Sequence, residues 1–168
     1  MVKLDKAYTF DTPDGPKSLV DLFDGRDQLV VYQFMDNGPD DYCPGCTWFT
    51  NGVPAKAPEL LANSGVTWRT VSNMPLAQIE GYWKQQGWTL PYASSRGTSF
   101  ADDIGAGRFF ALATFLRDGD DVYLTYNTTS RGVDRLVFVN HLLDHTVYGR
   151  QEDWEDSPAG WPQRPTYG

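Results

Sequence analysis

Residues 28–35 are the stretch that most narrows what this chain can fold into. Apolar side chains fill both alternating faces of the stretch, which is the pattern of a strand covered on both sides. Strands of that kind lie in the middle of α/β sheets, with helices packed above and below. Residues 66–72 are β-branched and alternating, so they predict a second central strand.

The remaining patterns alternate between strand and helix along the chain. The elements that they predict are a short strand and turn at 8–15, a short helix at 18–25, a kinked helical stretch at 47–62, a helix at 75–86, a strand at 90–93, a short helix at 98–104, a hairpin of 109–116 with 122–126, and a final helix at 134–143. This order predicts an α/β fold: a mixed central sheet with helices on both faces, then a C-terminal hairpin and helix.

Two cysteines, Cys43 and Cys46, follow the first central strand and stand at the start of a predicted helix. A helix N-terminus carries partial positive charge and unpaired backbone donors, which stabilise a thiolate. We therefore predict Cys43 as the nucleophile and Cys46, one turn further on, as the resolving thiol of dithiol–disulfide exchange. Pro44 stiffens the turn, and Gly45 lets a partner approach. The alternative is a pair of thiols that only fills space in the core.

Two carboxylates just upstream act against the helix N-terminus. Asp40 and Asp41 raise the pKa of Cys43 if they lie close to it. The two effects are each about 1 kcal/mol, so the sequence leaves their balance open.

Several stretches of the chain together resemble one known family. They are residues 8–35, Cys43-Pro44-Gly45-Cys46, residues 71–76, Gly87-Trp88, Ser94-Ser95 and Ser130-Arg131-Gly132. The chain is similar in these stretches to the DUF899 family of thioredoxin-like proteins. The resemblance implies a thioredoxin-like fold over residues 1–150 and a predicted dithiol–disulfide oxidoreductase role. Residues 151–168 lack periodicity, so we expect an irregular C-terminal tail whose last residues are mobile.

The chain departs from better-understood relatives of this fold at two points. Thioredoxins place a cis-proline just before the strand that faces the cysteines, whereas the matching stretch here, residues 112–116, has no proline. Peroxiredoxins carry a threonine three residues before the reactive cysteine, and Asp40 stands there. The missing proline leaves a non-catalytic thioredoxin-like binding or scaffold module open as the main alternative to the oxidoreductase. The missing threonine weakens the other alternative, a peroxiredoxin-like peroxidase, which ranks below it.

Three further residues are candidates for substrate binding. Tyr42 and Trp48 flank the cysteines and either shape a substrate surface or belong to the core, as Trp48 would more often do. Arg131 stands at the start of the final helix, where an arginine can stabilise a thiolate or hold an anionic substrate. The plainer interpretation of Arg131 is a solvated residue of an acidic protein.

A zinc site is a further alternative. His141 and His145 lie four residues apart on the final helix, and with the two cysteines they supply four zinc ligands of the right chemistry. The long gap between the pairs makes this spacing weak evidence. We therefore predict no metal and no other cofactor.

Charge and hydropathy limit the class of partner. The net charge is −8, which disfavours nucleic acid because phosphate binding needs a basic patch. Neither an apolar run of membrane-spanning length nor a secretory signal is present, so we expect a cytoplasmic protein without a membrane partner. The expected partner is a substrate that carries a disulfide or an oxidised thiol.

Overall fold

The computed structural model describes residues 1–166, which form one mixed eight-stranded sheet in the order β1-β8-β7-β4-β5-β6-β2-β3. The strands are β1 (Val2–Lys3), β2 (Thr9–Thr12), β3 (Gly15–Ser18), β4 (Gln28–Phe34), β5 (Val66–Ser72), β6 (Tyr92–Ser94), β7 (Ala111–Asp118) and β8 (Asp121–Thr128). The helices are α1 (Pro44–Gly52), α2 (Ala57–Asn63), α3 (Leu76–Gln86), α4 (Phe100–Asp103) and α5 (Phe138–Asp144), with 3₁₀ helices at Asp21–Phe23 and Ser130–Leu136. The predicted fold class is confirmed.

Strand β4 lies at the centre of the sheet, as its apolar run predicts. It pairs in parallel with β5 and antiparallel with β7, and β5 pairs in parallel with β6. The carboxyl ends of the three parallel strands therefore meet at one edge of the sheet. The chain leaves β4 at that edge and reaches the cysteines, so the edge is where chemistry is expected.

Alternation along the strands divides the buried side chains between two cores. In β4, Leu29 and Val31 face one core, whereas Tyr32 and Phe34 face the other. The first core, which we call the distal core, also contains Phe10, Leu22, Phe23, Phe100, Ile104 and Phe115. The second, the cysteine-side core, also contains Cys43, Cys46, Phe49, Ile79, Tyr82, Trp83 and Val137. Helices thus cover both faces of the sheet.

The final helix differs from its prediction. A single helix over 134–143 is wrong, because the chain forms a 3₁₀ helix and then α5, with a break at Val137 (φ −93°, ψ 107°). Val137 is buried, and a Cβ atom on Gly52 of α1 would lie 3.2 Å from its Cγ1. The extended conformation suits a β-branched residue, and it lets Val137 pack against α1 at Gly52, which has no side chain.

Smaller differences concern edges and short helices. The helix predicted at 18–25 is only the 3₁₀ helix Asp21–Phe23, whose entry is fixed by reciprocal bonds between Ser18 and Asp21. The edge strands β1 and β3 were not expected. Each is short and contains no buried residue, so neither carries the apolar alternation that marks a strand.

The segment after residue 150 runs along the domain as far as it is described. Glu152 forms an isolated bridge with Arg164, and residues 151–166 otherwise form turns and irregular structure. The expected mobility of the last residues concerns positions 167 and 168, which lie outside the described residues. The division of the chain at residue 150 stays a prediction.

Candidate active site

Helix α1 begins at the cysteine pair for local reasons. Cys43 is its N-cap, and Pro44 occupies the first helical position, where the missing proline N–H leaves no backbone bond unmade. The N–H of Cys46 donates a hydrogen bond to Cys43 Sγ over 3.3 Å. A cysteine thus takes the place that serine or aspartate usually fills at a helix N-terminus.

The two thiols differ in their access to solvent. Cys43 is 5% exposed and Cys46 is fully buried, and both are free thiols rather than a disulfide. The backbone N–H of Met35, just after β4, donates to Cys46 Sγ over 3.4 Å. Both residues are buried, and of the two only Cys43 keeps any exposure to solvent.

Hydrogen bonding separates the pKa values of the pair. The Cys46 thiol donates to the Cys43 thiolate, and with the N–H groups of Cys46 and Gly45 it lowers the pKa of Cys43 to about 6, against the opposing effect of burial. Burial and the same sulfur–sulfur bond raise the pKa of Cys46. At neutral pH Cys43 is then mainly thiolate, while Cys46 keeps its proton.

The acidic loop upstream has a smaller effect. Asp41 raises the pKa of Cys43, as expected, but it is the weakest of the influences on that thiol. Asp40 is exposed, with a left-handed backbone (φ 56°), and is not among the groups that shift the Cys43 pKa. The structure therefore resolves the balance that the sequence left open, in favour of the hydrogen bonds.

Aromatic side chains surround the pair. Tyr42 stacks on Tyr82 with ring centroids 3.6 Å apart, and the Tyr82 hydroxyl hydrogen-bonds to Thr47 over 2.7 Å. Trp48 is half-buried, and its Nε1 donates to Asn140 of α5 over 3.3 Å. Tyr42 and Trp48 thus combine packing with partial exposure next to the cysteines.

A cavity of about 220 Å³ opens beside the cysteine motif. It reaches the motif through Gly45 and is lined there by Trp48 and by Phe110, the residue that precedes β7. Phe110 was not among the predicted site residues. The stretch taken to match the cis-proline region, 112–116, lies inside β7, and the described residues contain no cis peptide bond.

Arg131 lines this cavity, but its charge is already paired. Its Nη2 lies 2.7 Å from Glu152 and 2.9 Å from Asp134, and its guanidinium carbon lies 4.7 Å from the Trp154 ring centroid. Arg131 is not among the groups that shift the Cys43 pKa. The sequence pointed to Arg131 and missed Glu152, because nothing in the irregular tail marks a buried carboxylate.

The two histidines considered as zinc ligands both hydrogen-bond to backbone carbonyls. His141 hydrogen-bonds to the carbonyl of Arg135, and His145 to the carbonyl of His141 over 2.7 Å. Within residues 1–166, no three histidine, cysteine or acidic side chains come together as a metal site.

The chain has a thioredoxin-like fold, which it shares with several solved structures. The chain is similar to a thiol:disulfide interchange protein from Bacteroides sp. (TM-score 0.57, 14% identity, covering 82% of this chain and 90% of that one). It is also similar to the peroxidoxin BcpB from Mycobacterium tuberculosis (0.54, 16%, 82% and 95%). A third is the exposed lipoprotein thioredoxin Etrx1 from Streptococcus pneumoniae strain TIGR4 (0.51, 14%, 78% and 98%). At these identities the likeness concerns the fold.

Residues 1–167 match the family described as "Bacterial protein of unknown function (DUF899)", and the chain belongs to that family. No curated protein matches the sequence. None of the helices in the described part of the chain has the length and apolar character needed to span a membrane.

Proposed function

We propose that this protein is a thiol–disulfide oxidoreductase in which Cys43 attacks and Cys46 resolves. The observation that carries the proposal is the asymmetry of the pair at the start of α1. Cys43 accepts hydrogen bonds and touches solvent, whereas Cys46 is sealed and protonated. This arrangement supplies a nucleophile and, behind it, a thiol that can release the mixed disulfide.

The reaction proceeds in two exchanges. Cys43 thiolate attacks one sulfur of the substrate disulfide, and the electron pair of that bond leaves with the other sulfur. Cys46 then attacks Cys43 Sγ, gives up its proton, and displaces the second half of the substrate. The protein dithiol loses two electrons and the substrate becomes two thiols.

A single-turnover reaction tests the proposal, because the protein contains only these two cysteines. Reduced wild type mixed with hydroxyethyl disulfide should form the Cys43–Cys46 disulfide and release two small thiols. Cys43→Ser should lower the rate of this reaction by at least about a hundredfold, since the only remaining thiol is buried and protonated. Cys46→Ser should stop at a mixed disulfide visible by mass spectrometry. A Cys43→Ser protein that reacts as fast as wild type would contradict the mechanism.

A non-catalytic binding module is the competing function, and the small exposure of Cys43 favours it. The same experiment separates the two. A folded, reduced wild type that exchanges no faster than a free alkyl thiol of ordinary pKa would assign the chain to the binding class.

A further inference from the structure

Helix α5 (Phe138–Asp144) has the reverse of the polarity expected of a surface helix. The residue that it buries is Asn140, whose side chain accepts a hydrogen bond from Trp48 Nε1. Phe138 and Leu142 lie four residues apart on the helix and are 64% and 53% exposed. A surface helix normally turns its apolar residues towards the core and its polar residues towards solvent. The outer face of α5 is therefore apolar without being covered by the rest of the described chain.

Exposed apolar side chains are concentrated on α5 and its flanks. Fourteen large hydrophobic side chains are exposed among residues 1–166, and six of them lie between positions 136 and 148. These six, which we call the α5 patch, are Leu136, Phe138, Val139, Leu142, Val147 and Tyr148. Apolar residues scattered singly over a surface need no explanation, whereas a large exposed cluster marks a site of protein association.

The size of the α5 patch suits an interface between two copies of the chain. From their exposed fractions, its six side chains present roughly 600 Å² of surface, the upper end of what a monomer ordinarily leaves exposed. Two copies that covered each other's patch would bury about 1,200 Å², which is the size at which specific, stable interfaces begin. The polar residues at the rim of the patch would add to that area.

Charge also favours the α5 patch as the place where two copies meet. The chain has a net charge of −8, so two copies repel each other in general. Residues 135–150 depart from this balance, since their charged groups are Arg135, Arg150 and Asp144. Arg135 precedes α5 and is exposed, whereas Asp144 ends it and is half exposed. Antiparallel packing of two α5 helices brings the arginine end of each helix towards the aspartate end of the other.

These features fit an isologous contact, in which the same surface serves both copies. We propose that two copies of this protein form a dimer through the α5 patch, with their α5 helices antiparallel. Each Phe138 then packs against Leu142 of the partner subunit, and each Arg135 lies near Asp144 of the partner subunit. The inference goes beyond the proposed function and does not rest on it.

Sedimentation velocity of the reduced wild type, over micromolar to submillimolar concentrations, tests the proposal. A species of twice the mass of one chain should form as the concentration rises. Leu142→Glu places a charge in the patch and should raise the dissociation constant of the dimer by at least about tenfold. Leu60→Glu is the matched control, because Leu60 is 63% exposed on α2, outside the patch, and should leave the constant unchanged. Circular dichroism checks that both variants are folded, as expected for substitutions at exposed positions.

A second pair of variants tests the antiparallel arrangement. Arg135→Glu should raise the dissociation constant by about threefold or more, because it sets a like charge against Asp144 of the partner subunit. Arg108→Glu is the matched control: it makes the same change of net charge at an exposed position outside the patch. In a parallel dimer the two copies of residue 135 would face each other, and exchanging arginine for glutamate there would preserve a like-charge pair. Equal constants for Arg135→Glu and Arg108→Glu would therefore overturn the antiparallel arrangement.

Two further outcomes would overturn the dimer itself. A wild type that stays monomeric at every concentration would show that the α5 patch serves a different partner or none. Equal weakening by Leu142→Glu and Leu60→Glu would place the interface elsewhere on the chain. Neither outcome affects the proposed thiol–disulfide exchange, which is measured separately in single turnover.

Discussion

The cores on the two faces of the sheet are built from similar apolar residues, but only one of them contains the cysteines. The distal core packs Phe10, Phe100 and Phe115 with ring centroids 4.9–6.0 Å apart, and no cysteine is among its described members. The cysteine-side core contains Cys46, in the first turn of α1, together with rings that also carry hydrogen-bonding groups. The distal core therefore holds no thiol among its described members, whereas burial and hydrogen bonds on the other face shift the pKa values of both thiols.

The largest expected effect is on stability and distinguishes the two faces. Phe100→Ala and Phe49→Ala each empty a buried ring site and should lower the free energy of unfolding by about 3–5 kcal/mol. Only Phe49→Ala should also move the pH midpoint of Cys43 alkylation, because Phe49 lies one turn from Cys46 in α1. Denaturant unfolding and iodoacetamide kinetics measure the two quantities. A shift of that midpoint in Phe100→Ala would contradict the difference between the two cores, because Phe100 lies in the distal core.

The pH dependence of stability is the next effect, and its sign follows from the Cys43 pKa. The ordinary thiol of the unfolded chain, with pKa 9.0, binds more protons between pH 6 and 9 than the folded thiol, whose pKa is about 6. The reduced protein should therefore gain stability from Cys43 as pH rises through this window, and lose the gain as pH falls to about 6.

The opposite sign holds for the buried thiol at higher pH. Because the pKa of Cys46 is raised in the folded protein, the folded state loses stability relative to the unfolded state above pH 9, where the unfolded thiol ionises. Unfolding of reduced wild type and Cys43→Ala, compared across pH, isolates the Cys43 contribution. A wild-type advantage that does not grow between pH 6 and 9 counts against the assigned pKa.

A smaller effect concerns the contact between α1 and α5. Trp48→Phe removes the bond from Nε1 to Asn140 and should cost about 1 kcal/mol of unfolding free energy. In a double-mutant cycle with Asn140→Ala, the two losses should not add. Fully additive losses would show that the bond contributes nothing.

The smallest expected effect lies outside both cores. Helix α2 buries no residue, and its Lys56–Glu59 ion pair is solvent-exposed, at 2.7 Å. Lys56→Gln should change the free energy of unfolding by about 0–0.5 kcal/mol. A loss near that of Trp48→Phe would show that this exposed ion pair contributes as much as a buried hydrogen bond.

The elements that could be predicted are those whose cause is local. The apolar run of β4 and the alternation of β5 mark buried strands, and both match the structure closely. The placement of Cys43 at a helix start follows from the same strand and from Pro44. Each of these depends on residues adjacent in sequence.

What could not be predicted depends on residues distant in sequence. The break at Val137 arises from packing on Gly52, and the role of Glu152 from its approach to Arg131. The contribution of Phe110 to the cavity requires β7 to lie beside β4. Periodicity and spacing carry no signal for such contacts, so the sequence does not predict the cavity.

The ionisation of Cys43 is the measurement that tests the account most directly. Thiolate absorbance in the ultraviolet, followed with pH in reduced wild type and in Cys43→Ser, isolates the outer thiol. The account predicts a midpoint near pH 6, which Cys43→Ser should lack. A midpoint at or above the ordinary thiol value of 9.0 would contradict it, because Cys43 would then be protonated at neutral pH and the pair would have no nucleophile.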